Sequence, residues 1–171
     1  MNNLKDGITL GVAVTGWTMA EYLAGLHNDH FGVGLWTGLG ALVLALWVLY
    51  AKLKSAAKTE KPAIWKIITD GAIMSFIGSA FYGGFLILYF TAINPEFYDA
   101  LAAYIQAHSN EVAPGAIDHR IQAAKTAYAP YTQFKTSLIG GTAIGALASF
   151  LIAVILKHRQ KGASPVQPTG R

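Results

Sequence analysis

Four stretches of this chain run without a lysine or arginine: Gly7 to about Leu26, Gly32 to Ala51, about Gly71 to Ile93, and about Thr136 to Leu156. Each is long enough to cross a hydrocarbon core, which takes about 20 residues of helix. Inside lipid a single segment satisfies its backbone hydrogen bonds only as a helix. The fold expected is therefore an all-α membrane protein with four transmembrane helices in one domain over residues 1–161. The composition of residues 162–171, with Pro, Gly, Ser and Gln, predicts a disordered cytoplasmic tail. The whole chain agrees: 53% of its 171 residues are hydrophobic and 13% charged, with a mean hydropathy of +0.39, too apolar for a soluble domain of this size.

Orientation follows from the basic residues, which are retained on the cytoplasmic side. Lys5, the linker residues Lys52, Lys54, Lys58, Lys61 and Lys66, and the tail residues Lys157, Arg159, Lys161 and Arg171 lie on one side; only Arg120, Lys125 and Lys135 lie on the other. Both termini are expected in the cytoplasm. Trp47, Tyr50 and Trp65 then fall at the inner interface, and Tyr22, Trp36, Tyr89, Tyr131 and Phe134 near the outer one. The rival reading of the first stretch is a cleaved signal peptide. It is disfavoured by the single Lys5 beside Asp6, by the length of the stretch, and by the lack of an A-x-A site. The net charge of +4 orients the chain in the membrane and forms no patch for nucleic acid. There is no cysteine, which excludes disulfides, thiolate metal sites and thiol catalysis.

Between the second and third spans, Ala51 to about Thr69 reads as a basic linker, with Pro62 suited to the first position of the third helix. Between the third and fourth spans, Phe97, Leu101, Tyr104 and Ile105 recur at helical spacing. Pro114-Gly115 breaks the pattern, Ile117, Ile121, Ala124 and Tyr128 restart it, and Pro130 closes it. Residues 95–131 are thus expected to form an extracytoplasmic amphipathic helical hairpin. Its apolar stripes need cover from each other, from the membrane surface or from a partner chain.

Helices in lipid associate through small residues that let backbones approach. Ser137, Gly141, Gly145, Ser149 and Ala153 form such a ladder on the fourth span, and Gly71, Ser75, Ser79 and Gly83 another on the third. The two are expected to face each other within one molecule, the alternative being a homodimer seam through Gly141 and Gly145. Glu21 and Asp70 are the ionisable residues in or at the ends of the apolar stretches, and intramembrane carboxylates are candidate functional groups. Both positions read as interfacial, near opposite faces and too far apart to pair. His27, Asp29 and His30, with His108 and His119 on the same side, can be drawn as a metal site. No fixed ligand spacing supports it, so no metal or cofactor is expected. No phosphate loop, nucleophile elbow or dinucleotide fingerprint is present, and an enzyme is not expected.

Gly71-Ala-Ile-Met-Ser75 opens the third span, and Phe81, Tyr82 and Tyr89 follow. The chain leaves through Ile93-Asn94-Pro95-Glu96-Phe97, and after the amphipathic segment a Gly-rich span ends in Lys157-His158-Arg159. In this order of features, from Asp70 to Lys157, the chain resembles a family of small bacterial membrane proteins, domain of unknown function 4199, common in Bacteroidetes. The resemblance implies a four-span protein of the bacterial inner membrane and brings no activity with it. The expected partners are membrane lipid and other membrane proteins or a second copy of the chain. The leading expectation is a binding, scaffold or accessory subunit of an envelope complex, and the alternative is a small-solute transporter or channel acting as an oligomer.

Overall fold

Leu, Ile, Val, Ala and Gly dominate the long segments of the chain, and every described segment of regular structure is helical. The computed structural model describes residues 2–60, 62–109 and 115–162, with no side chains described for residues 60 and 159–162. The expected tail lies, apart from residue 162, outside the described residues. Helix α1 (Asn3–Leu23) starts at Asn2, whose side chain accepts the Lys5 backbone N–H at 3.1 Å and satisfies one of the free donors of the first turn. Helix α2 spans Phe31–Glu60, α3 Ile64–Leu88, α4 Phe97–His108, α5 Ala116–Ala127, α6 Pro130–Thr136 and α7 Thr142–Gly162. A π-helical turn, Tyr89–Ile93, prolongs α3, and a second, Ser137–Gly141, joins α6 to α7.

Among the described residues three stretches are long and apolar enough to cross a membrane: Phe31–Thr59, Ile64–Ile93 and Pro130–His158. The sequence predicts four. Helix α1 is long enough, but Lys5, Asp6, Glu21 and its Gly and Thr residues dilute its apolarity. It compensates by close packing on α3: a Cβ on Gly7 would lie 2.7 Å from Ile77, one on Gly11 2.8 Å from Phe81, and one on Gly78 2.7 Å from Leu10.

Other boundaries differ as well. The basic segment after Ala51 is helical to Glu60, because Leu53 and Ala57, spaced four residues apart after Leu49, stay buried against α3 and α7. Pro62 precedes α3, which starts at Ile64. Pro130 occupies the first turn of α6, where its missing N–H costs nothing; it opens the last rod instead of closing the amphipathic segment.

Two clusters hold the ends of the bundle. At one end Leu49, Leu53, Ile67, Met74, Ile152 and Leu156 join α2, α3 and α7. Asp6 pairs there with Lys52 at 2.8 Å, and Asp70 accepts from Lys66 at 2.8 Å and from Asn3 at 3.0 Å. At the other end Phe31, Leu86, Tyr89, Phe90, Phe97 and Leu101 bring together α2, α3 and α4, with Ala124 and Tyr128 packed around them. Phe97, Leu101 and Ile121, from the expected apolar stripes, are buried.

A buried carboxylate and a hydrogen-bond chain

The reversal between α1 and α2 creates the site. Gly25 takes φ +74°, in the left-handed region open to glycine. The Leu26 N–H reaches back to the Glu21 carbonyl at 3.0 Å, and the Gly25 N–H to the Tyr22 carbonyl at 2.9 Å, the paired bonds of a Schellman ending. By folding the chain back over its own last turn, this ending brings His27 beside Glu21, with Nε2 3.6 Å from Oε2.

Glu21 itself is only 6% exposed, and its Oε1 is buried with no hydrogen-bond partner. This corrects the expectation of an interfacial carboxylate in reach of headgroup water. The correction stems from packing: the aromatic residues of α3 and α4 close over the end of α1. A buried polar atom without a partner costs about 1–3 kcal/mol, more when charged.

From Glu21 a chain of polar groups leads outward. The His27 Nδ1 meets the Tyr89 hydroxyl, which receives the Asn94 side-chain amide at 2.9 Å; the same amide also donates to Asn28 Oδ1 at 3.2 Å. An amide nitrogen can only donate. Tyr89 therefore accepts from Asn94, and its own proton is free for His27 Nδ1, a tautomer that puts the imidazole N–H on Nε2, facing Glu21. The π turn makes this possible. Its extra residue lets the Asn94 backbone N–H bond the Tyr89 carbonyl at 2.8 Å and holds both side chains on one side, and π turns are frequent at functional sites. Asn94 is 2% exposed, though in the sequence it reads as a polar exit residue.

Burial lowers the His27 pKa from its ordinary 6.5, and the Glu21 carboxylate opposes that shift. Neutral imidazole is favoured in the fold, so as the pH falls below 6.5 protons bind the unfolded chain first. That stability is present above 6.5 and is lost on acidification through the lowered value. In Glu21→Gln the opposing charge is gone, and His27 should titrate lower still. Imidazole nitrogen NMR across pH in detergent checks this; a His27 pKa that rises in the variant would refute the arrangement.

Glu21 and His27 line a cavity of about 200 Å³ together with Thr18, Tyr82, Tyr89 and Phe97. A second cavity, of about 290 Å³, adjoins it and shares Gly38, Ala41, Tyr82, Leu86 and Gln133 in its walls. Asp70 is at the opposite end of α3, paired with Lys66, and takes no part. The histidines drawn as a metal cluster separate, with His30, His108 and His119 exposed. Among the described residues no group of three or more His, Asp or Glu is placed to hold a metal.

The small-residue ladders meet. Methyls on Gly71, Gly141 and Gly145 would overlap Ser149, Ser79 and Ser75, and one on Gly83 would lie 3.0 Å from Phe134. Ser137 Oγ donates to the Ser79 carbonyl at 3.1 Å. Sequence reasoning missed Tyr89, Asn94 and Asn28 as site residues. The usable clues were Asn94 directly after an apolar span and Gly25 directly after a helix containing a lone Glu.

A comparison with protein families matches one family model, described as "Protein of unknown function (DUF4199)", over residues 5–158. The match takes in α1 and α2, where the motif resemblance began only at Asp70. No curated protein and no solved structure matches the chain.

Proposed function

As the chain belongs to the DUF4199 family, we propose from its site that it is a small-solute binding protein of the transporter class. In this reading it is an integral protein of the bacterial inner membrane with four spans and both termini in the cytoplasm. The observation that carries the proposal is Glu21, a buried carboxylate that lines a cavity and whose Oε1 has no hydrogen-bond partner. An interior that leaves such an atom unsatisfied holds it for something that enters.

Three features support the membrane arrangement. Helix α1 has 21 residues, about 30 Å at the helical rise, and it packs along α3. The ion pairs and core contacts at one end gather the start of α1, the end of α2, the start of α3 and the end of α7. Lys5, Lys52, Lys54, Lys58, Lys66 and Lys157 fall there, and Arg120, Lys125 and Lys135 belong to the other side. The accessory-subunit reading draws on an amphipathic outer segment together with a lack of buried chemistry; Phe97, Leu101 and Ile121 of that segment are buried within the chain, and Glu21 is a buried carboxylate.

A carboxylate kept for a solute lowers the stability of the empty protein, as functional groups do when they break the rules of packing. Glu21→Gln keeps the shape and removes the charge. Its thermal midpoint in maltoside micelles is expected to rise by about 2–8 °C, from about 1–2 kcal/mol at this chain length. An unchanged or lowered midpoint would make Glu21 a structural partner of His27 and overturn the proposal.

A further inference from the structure

The two adjoining cavities differ in character. The one at Glu21 has the carboxylate, His27 and a wall rich in aromatic faces, among them Phe31, Tyr82, Tyr89 and Phe97. The other runs down between α2, through Ala41, Leu42 and Leu46, and α7, through Ile144. Two of its wall residues, Leu42 and Ile144, are 40% and 46% exposed. It therefore opens on the side of the bundle, among apolar side chains such as Leu39, Val43 and Leu147 that face outward. An apolar cavity open to lipid and ending in a chamber with an unsatisfied acid fits a molecule apolar along most of its length and cationic at one end.

We propose that the ligand is an amphipathic amine, its ammonium head against the Glu21 carboxylate in the aromatic chamber and its hydrocarbon chain in the cavity between α2 and α7. The assignment rests on the solute-binding reading above. An ammonium supplies the counter-charge that the buried Glu21 carboxylate lacks, and aromatic rings attract cations. His27 does not supply the missing positive charge, because burial keeps its imidazole neutral near pH 7. A fatty acid has the same chain and the wrong head: its carboxylate would meet Glu21 as a like charge.

Thermal unfolding of the full chain in maltoside micelles, whose headgroup is uncharged, separates these cases. Octylamine and octanoate are titrated against the wild type, Glu21→Gln and Gly38→Phe. A Cβ on Gly38 meets nothing within 4 Å, and Gly38 lines both cavities, so a ring there has room to enter the space they share. Octylamine is expected to raise the wild-type midpoint in a saturable way while octanoate does not. Its apparent affinity should fall at least about tenfold in Glu21→Gln and comparably in Gly38→Phe. If Gly38→Phe does not fold, the Glu21→Gln comparison decides. Equal effects of octylamine and octanoate, or an octylamine response unaltered in Glu21→Gln, overturn the proposal. Octylamine inert on a wild type that still melts below Glu21→Gln removes the amine and leaves the solute site; without that difference in melting, both readings fail together.

Discussion

Gly145→Ala is expected to destabilise the protein by about 2–3 kcal/mol, the upper range for an overpacked interior, and Gly145→Leu to prevent folding. The methyl of alanine would overlap both Oγ and Cβ of Ser75. Ser75 is 2% exposed, and its hydroxyl is bonded to the Gly71 carbonyl at 2.8 Å. Turning the side chain moves the hydroxyl but leaves Cβ in place, so α3 and α7 have to part. In lipid little else draws them together, since the surroundings are as apolar as the helices. Gly140 is the control. A methyl there meets nothing within 4 Å, and Gly140→Ala should be neutral or add up to about 1 kcal/mol through helix propensity. Thermal melts in maltoside followed by circular dichroism compare the variants. A Gly145→Ala protein that melts with the wild type would mean that this seam does not hold the bundle together.

Tyr89→Phe should have the second largest effect, a loss of about 2–4 kcal/mol. The hydroxyl it deletes sits between the Asn94 amide and His27 Nδ1, so one missing atom leaves two buried polar groups short of a partner. Asn94 keeps its bond to Asn28, which limits the damage. For a chain of this length the midpoint should fall by about 4–16 °C. The double variant Tyr89→Phe with Asn94→Ala should fall by less than the sum of the singles, because both act on one network. Additive effects would show that the hydroxyl and the amide do not depend on each other.

How much of this was written in the sequence depended on how local the physics was. The apolar runs of α2, α3 and α7 and the four-residue spacing of Gly141, Gly145 and Ser149 are one-dimensional patterns, and they translate directly into helices and a seam. The end of α2 is not legible in this way, because the apolar run stops at Lys52 while the helix goes on as a half-buried one carried by Leu53 and Ala57. Pro130 suits a first turn as well as a stop, and spacing alone does not choose between them. The burial of Glu21 is the least legible feature. It depends on a left-handed Gly25 that turns His27 back and on α4 closing from above, and no spacing in the sequence records either contact.

The π turn at Ser137–Gly141 has a consequence for the rod that contains it. An extra residue in one turn shifts the angular phase of everything that follows, so α6 and α7 present faces offset from each other by a fixed angle. The phase of α7 is committed to the serine and glycine seam with α3. That of α6 points Gln133 and Thr136 toward the cavities. Because the offset is fixed, Gln133 lines the cavities from the same rod whose Phe134 and Ser137 pack on α3 at Gly83 and Ser79, and the cavity wall and the seam are set together.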